Sequence, residues 1–97
     1  MLLDVTSPTS LAQFHEVLQR ELGQGGLWGL VNNAGIGISS PLEFVPLDQV
    51  RRLFEVNLFG LLAVTQVCLP YLRQEQGRII HCRRGWRRMG RGCIIFV

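Results

Sequence analysis

Lysine is absent: all ten formally basic side chains are arginines, a bias to which no mechanism attaches. Cysteine is scarce, with only Cys68, Cys82 and Cys93. Their odd number and spacing match no zinc or redox motif. His15 and His81 stand far apart, with no cysteine or carboxylate at ligand spacing, so a metal site has no support. No run reaches the roughly 20 apolar residues that span a bilayer. The nearest, Leu58 to Leu72, is broken by Thr65, Gln66 and Pro70. The amino terminus lacks the basic region, apolar core and small-residue cleavage site of a secretory signal. These absences predict a cytoplasmic chain with no metal and no transmembrane segment.

What is present fits one small domain. Ninety-seven residues do not make two, and a core of this size is marginal. A hydrophobic content of 47% with 18% charged residues belongs to a globular chain. Charge is unevenly placed. Residues 1–80 hold five arginines against all seven acids, a net of −2, whereas 81–97 hold five arginines and no acid, a net of +5. The basic balance is therefore a property of the tail.

Met1 to Val5, an apolar run closed by Asp4, reads as a strand end. Ser7 before Pro8 is a helix start: an N-cap hydroxyl, then proline where its missing N–H costs nothing. Leu11, Phe14, Val17, Leu18 and Leu22 recur at helical spacing, and Gly23 to Gly26 close the helix. Leu27–Val31 is too short for a helix between its flanking glycines and reads as a buried strand. Ile36–Val45 is a loop.

Pro46 opens the longest element, with Asp48 in the first turn, where a carboxylate suits the helix dipole. Val50, Leu53, Phe54, Leu58, Leu61, Leu62, Thr65, Cys68, Leu69 and Leu72 predict one continuous apolar stripe along a helix to Gln74, kinked or ended early by Pro70. Gly77 breaks it, and Arg78–Ile80 begins a third strand. The order strand, helix, strand, helix, strand predicts an α/β fold with a parallel sheet. After Ile80 there is no periodicity, no acid and almost no aliphatic residue, so 81–97 reads as a separate basic, irregular tail.

Two features carry chemistry. Asn32-Asn33-Ala34-Gly35 stands at the carboxyl end of a buried strand, where ligands of open α/β sheets lie. Two amides can tie neighbouring strands, and small residues let a planar ring approach the backbone; alone, the tetrapeptide is equally an ordinary strand-to-loop turn. Asn57 lies within the apolar stripe of the long helix. A polar amide there must find a partner, at a cost of about 1–3 kcal/mol otherwise. It could also simply bond the local backbone.

Asn32-Asn33-Ala34-Gly35, then Val56-Asn57-Leu58, then Gly77-Arg78-Ile79-Ile80 resembles, in order and spacing, the classical branch of the short-chain dehydrogenase/reductase superfamily over about residues 2–80. Leu27-Trp28-Gly29-Leu30-Val31 looks like its members that act on steroids, retinoids and other carbonyl compounds. The resemblance implies part of a Rossmann-like, doubly wound parallel sheet and an NAD- or NADP-dependent oxidoreductase of alcohols and ketones. Asp4, followed by Val5, would accept a hydrogen bond from the adenine amino group. Asn33, Ala34 and Gly35 would line the adenosine side of the cofactor site, with Asn32 steadying the sheet. Asn57 would be the relay asparagine. The family strand order 3-2-1-4-5-6-7 would pair Leu27–Val31 with Arg78–Ile80 and leave the Met1–Val5 strand without a neighbour.

The chain also departs from that pattern. His81-Cys82-Arg83-Arg84 replaces an Asn followed by small hydroxyl residues. The Tyr-x-x-x-Lys pair is missing, since Tyr71 is the only tyrosine, and no glycine-rich phosphate loop is present. The expectation is therefore a chain inactive by itself. Two other roles compete. The long helix, through outer residues including Val64, Val67 and Tyr71, would dock on a second copy or a full-length relative, unless those residues fold back onto the chain's own sheet or the chain misfolds. Alternatively, Arg83, Arg84, Arg87, Arg88 and Arg91, interleaved with Trp86, would bind anions incidentally and no specific nucleic acid.

Overall fold

The computed structural model describes residues 3–38, 40–81 and 94–96. Helix α1, Pro8–Leu22, begins as its cap requires: the Ser7 hydroxyl accepts the Ser10 N–H at 3.2 Å and proline takes the first position. Phe14 and Leu18 are its buried residues. It ends at Gly23, whose φ of 55° lets its N–H turn back to the Gln19 carbonyl at 3.0 Å.

Strand β1, Gly29–Asn32, is buried at all four positions. Strand β2, Arg78–His81, pairs with it in parallel, Gly29 opposite Arg78 and Asn32 opposite His81. A third strand, β3 (Ile94–Phe96), pairs in parallel with the other edge of β1, giving the order β2-β1-β3. The expected α/β class with parallel strands is what forms. Two expectations change. Leu3 and Asp4 form no strand; the Asp4 carbonyl instead accepts the Ser7 N–H at 3.1 Å in the turn that leads into α1. Met1 and Leu2 lie outside the described residues. The tail is not irregular throughout, because Ile94–Phe96, rich in β-branched residues, pairs with β1; 82–93 and Val97 lie outside the described residues.

Between the strands, Leu42–Phe44 makes one 3₁₀ turn inside the expected loop. A continuous helix then runs from Leu47 to Gln74. It consists of α2 (Leu47–Phe54), a π-helical turn (Glu55–Gly60) and α3 (Leu61–Gln74). Pro70 does not end it; the helix continues to Gln74. The π turn inserts one extra residue, and each residue turns a helix by about 100°. The stripe is accordingly split. Phe54, Leu58 and Leu62 are exposed, whereas Val64, Cys68 and Leu72 are buried with Phe14, Leu18, Leu27 and Leu30. Val64, Val67 and Tyr71 therefore face the chain's own core and not an outside partner. Val67 and Tyr71 pack against that cluster, and the Tyr71 hydroxyl shares a 3.1 Å hydrogen bond with His15 Nε2 on α1. Burial pushes the Cys68 thiol up to about 12, so it is an inert core group.

The 28-residue helix has an 18-residue window of mean hydropathy 1.6, enough by length and composition alone to cross a membrane. Only 17% of that window is buried within the described residues. Close approach at its middle depends on Gly60: a Cβ there would lie 2.5 Å from Val5 Cγ2 and 3.1 Å from the Glu55 carbonyl oxygen. Gly60→Ala is expected to destabilise the chain by about 1–3 kcal/mol through this overpacking. Gly37→Ala, with nothing within 4 Å, should stay within about 0.5 kcal/mol of the parent. Urea midpoints at unchanged slope check both, and equal midpoints would refute the contact.

Candidate functional site

The chain leaves β1 at Asn32, and Asn33, Ala34 and Gly35 continue as exposed, irregular backbone at its carboxyl end. Asn32 itself is buried. Its Nδ2 donates to Thr65 Oγ1 on α3 at 3.3 Å and to His81 Nδ1 on β2 at 3.2 Å. The second bond requires that Nδ1 carry no proton. Thr65 passes its own hydroxyl proton to the Leu61 carbonyl at 2.8 Å. One amide thus ties β1 to the helix and to the neighbouring strand, while its Oδ1 is buried without a partner among the described residues.

Asn57 sits inside the π turn. Its Oδ1 accepts the Ile36 N–H at 2.8 Å and its Nδ2 donates to the Ile36 carbonyl at 2.7 Å. This bidentate clamp fixes the main chain one residue beyond Gly35. The fit is close, since a Cβ on Gly35 would lie 3.4 Å from Asn57 Oδ1. The helix amide therefore finds its partner in the very loop that the sequence marks as the ligand wall. It does not bond its own helix.

Asp4 is exposed beside the first turn of α1. Its Oδ1 accepts both the Thr6 N–H at 2.9 Å and the Thr6 hydroxyl at 2.7 Å. These bonds hold the carboxyl below the usual carboxylate range against an opposing desolvation, and the charge of Arg52 adds a smaller push in their direction. Both bonds fall on Oδ1, so Oδ2 has no donor among the described residues. The Asp4 N–H is held by Ser10 Oγ at 2.9 Å. Val5, next in sequence, is buried against Gly60, three residues past Asn57.

The structure thus connects Asn33–Gly35 and Asn57 through the Ile36 clamp, and sets Asp4–Val5 against the same π turn. Ile36, Thr65 and His81 escaped the sequence reading as site-shaping residues. Ile36 and Thr65 look like loop and stripe positions, and their role is main-chain or hydroxyl bonding, which leaves no residue-type signal. Among the described residues no group of three or more His, Cys, Asp or Glu could hold a metal ion.

Residues 1–84 match the family model described as short chain dehydrogenase. The chain is 43% identical over 82 residues to the human (Homo sapiens) dehydrogenase/reductase SDR family member 9, covering 84% of this chain and 26% of that protein. It is 41% identical over 81 residues to human retinol dehydrogenase 5, covering 82% and 26%. Among solved structures, the alcohol dehydrogenase of the archaeon Thermococcus sibiricus, complexed with 5-hydroxy-NADP, aligns with a TM-score of 0.72 at 26% identity, over 81% of this chain and 33% of that one. The chain spans about a quarter of the length of the curated relatives it matches. Its α/β sheet is the Rossmann type of these structures. Strand β3 lies beyond the matched residues.

Asn57→Ala removes both bonds to Ile36. Amide exchange at Ile36 is expected to rise about tenfold, with a stability loss of about 1 kcal/mol. Asn57→Asp, which keeps the acceptor but not the donor, should fall between. Unchanged Ile36 exchange in the alanine variant, measured by NMR, would exclude the clamp.

Proposed function

The chain belongs to the short-chain dehydrogenase family, and from that premise we propose that it is part of an NAD(P)-dependent oxidoreductase of alcohols and ketones. We take the carboxyl end of β1 as the adenosine-side wall of its cofactor site. The observation that carries this reading is the clamp between Asn57 and Ile36, which holds the exposed Asn33-Ala34-Gly35 backbone in one place.

The residues fit the adenosine end of such a cofactor. Asp4 presents a carboxylate with one oxygen steadied by Thr6 and the other without a donor among the described residues, suited to an adenine amino group. Val5 anchors that turn in the core. Asn33, Ala34 and Gly35 offer small, open backbone to a planar ring. Asn57 fixes that wall, and in the relay reading it also belongs to the proton path. When bound, the nicotinamide supplies the hydride exchanged with the substrate carbon. The proton that accompanies it needs an acid or base near the reacting oxygen. Tyr71, the only tyrosine, is engaged by His15 on the far side of α3 and packs in the core, so it does not serve. The likeness to retinol dehydrogenase 5 supports retinoid-like alcohols as a substrate class for the whole protein.

Adenosine or NADH added to the 97-residue chain should shift the amide resonances of Asp4, Asn33, Ala34 and Gly35 saturably. No NAD(P)H oxidation should accompany a panel of ketones. Shifts confined elsewhere would sink the site, and turnover would overturn the assignment of this chain as inactive.

A second reading rests on the outer side of the long helix. Leu58, Phe59 and Leu62 lie exposed on adjacent turns, Phe59 at 54%, and a cluster of this kind favours contact with a second copy or a longer relative. Light scattering should show self-association of the parent chain that Leu62→Glu abolishes. A parent that stays monomeric and fails to co-purify with such a relative ends this reading.

A further inference from the structure

Asn32 and His81 meet where β1 and β2 end together, and the two differ in their access to water. Asn32 is buried, whereas His81 is exposed on β2. Their 3.2 Å bond fixes a protonation state. Asn32 Nδ2 donates, so His81 Nδ1 is bare and the proton of the neutral ring sits on Nε2. A histidine takes up a second proton between about pH 5 and 8, and here that proton lands on the atom that now accepts. Two donors would then face each other.

The amide can answer because its other end is idle: Asn32 Oδ1 is buried without a partner among the described residues. A half-turn of the amide brings Oδ1 against the imidazolium Nδ1–H. It also brings Oδ1 against Thr65 Oγ1, which now lies 3.3 Å from Nδ2. Two oxygens that close need a hydrogen between them. The Thr65 hydroxyl has one, which now goes to the Leu61 carbonyl at 2.8 Å. We propose that His81 is a proton-driven switch of the Asn32 amide. The neutral ring holds Nδ2 toward β2 and α3; the imidazolium turns Oδ1 there and draws the Thr65 hydroxyl off Leu61.

Apart from the proton, the two orientations are closely matched. In each, one end of the amide bonds two groups and the other bonds none among the described residues. A two-state element is shifted by whatever has unequal affinity for its states. The proton has it: the neutral ring can serve either orientation by changing tautomer, but the charged ring serves only one. The Nδ2 orientation therefore holds at high pH and is lost as pH falls. Neighbouring charges are few. β1 carries no titratable side chain, and Arg78, three residues back on β2, points to the opposite face. On α3, Cys68 is buried, Tyr71 is bonded to His15, and Arg73 lies about two turns beyond Thr65. Arg83 and Arg84 lie outside the described residues. The result is a coupling between solvent at the sheet end and the interior of the helix. Its bearing on a ligand at Asn33–Gly35 rests on the cofactor-wall reading; the switch itself does not, and its test uses no ligand.

NMR on the 97-residue chain, titrated from about pH 8 to about pH 5, supplies that test. At the upper end His81 should carry its ring proton on Nε2, with the Asn32 Nδ2 protons in contact with the His81 ring and the Thr65 methyl. As His81 titrates, those contacts should vanish, and the Leu61 carbonyl resonance should move with the midpoint of His81 and not that of His15. A proton on Nδ1 at the upper end would overturn the switch. So would contacts that persist once the ring is charged, since a bare charge effect moves resonances and leaves contacts in place. His81→Gln should abolish the pH dependence at Asn32 and Leu61, and its survival there would refute the role of His81. Thr65→Val should keep the change at Asn32 and remove that at Leu61; a Leu61 change that remains would exclude the hydroxyl transfer. If acid unfolds the parent before the ring titrates, His81→Lys decides at the upper end. As a permanent donor it should hold the amide turned, without contact between Asn32 Nδ2 and the Thr65 methyl, and retention of that contact would refute the switch.

Discussion

Four residues of β1 hold most of this molecule in place. Gly29 to Asn32 pair on one edge with β2 and on the other with β3, and Leu30 is buried in the core with α1 and α3. Asn32 then binds the helix through Thr65 and the neighbouring strand through His81. In a short chain, where surface is large relative to core, this concentration has a consequence. Among the described residues no further strand can take over if β1 loses a neighbour. The buried Asn32 amide also narrows the permitted register, because only one alignment sets it opposite His81 and under Thr65. Burial of a partly satisfied amide costs stability, and what it secures is orientation of the segment that follows.

Orientation is where the π turn matters. An uninterrupted α-helix from Leu47 to Gln74 would carry its apolar stripe from Phe54 and Leu58 straight to Cys68. With one extra residue in Glu55–Gly60, the two halves of the helix present different faces. Phe54 and Leu58, before and within the turn, stay in solvent, and α3 beyond it leaves Leu62 exposed but buries Val64, Cys68 and Leu72. Such turns are concentrated at functional sites. Here the irregularity lies where Asn57 reaches out to Ile36.

How far the sequence reveals this depends on the range of the interaction. The Ser7–Pro8 start of α1 and the Gly23 stop are local, and both form as read. The β1 and β2 segments are legible because short apolar runs between glycines leave few alternatives, and their pairing follows from the family order. The site residues stand out by type: an amide pair at a strand end, and an amide in an apolar stripe. What was hidden is non-local. Nothing within five residues of Ile94 says that its partner is Leu30's strand, sixty-odd positions earlier. Nothing in Glu55–Gly60 breaks helical periodicity, so the π turn could not be read, and for Val64 and Tyr71 the sequence left both an outer and a core-facing placement open. The missing strand at Leu3–Asp4 has the same origin, since a strand needs a neighbour, and a turn bonded to Thr6 and Ser7 satisfies the same backbone groups locally.

The π turn also joins the two ends of the candidate site. Asn57 clamps the Asn33–Gly35 wall from within that turn, while Gly60, at its last position, receives Val5. Asp4 precedes Val5 and is bonded into the same turn of chain through Thr6 and Ser10. A helix without the extra residue would rotate Gly60 away from Val5 by about 100°, and a side chain would meet it in place of a hydrogen. The Asp4 carboxylate and the asparagine-bounded wall are therefore not independent motifs that happen to share a sheet edge. One irregular turn of helix touches both, through the Asn57–Ile36 bonds and the Gly60–Val5 contact.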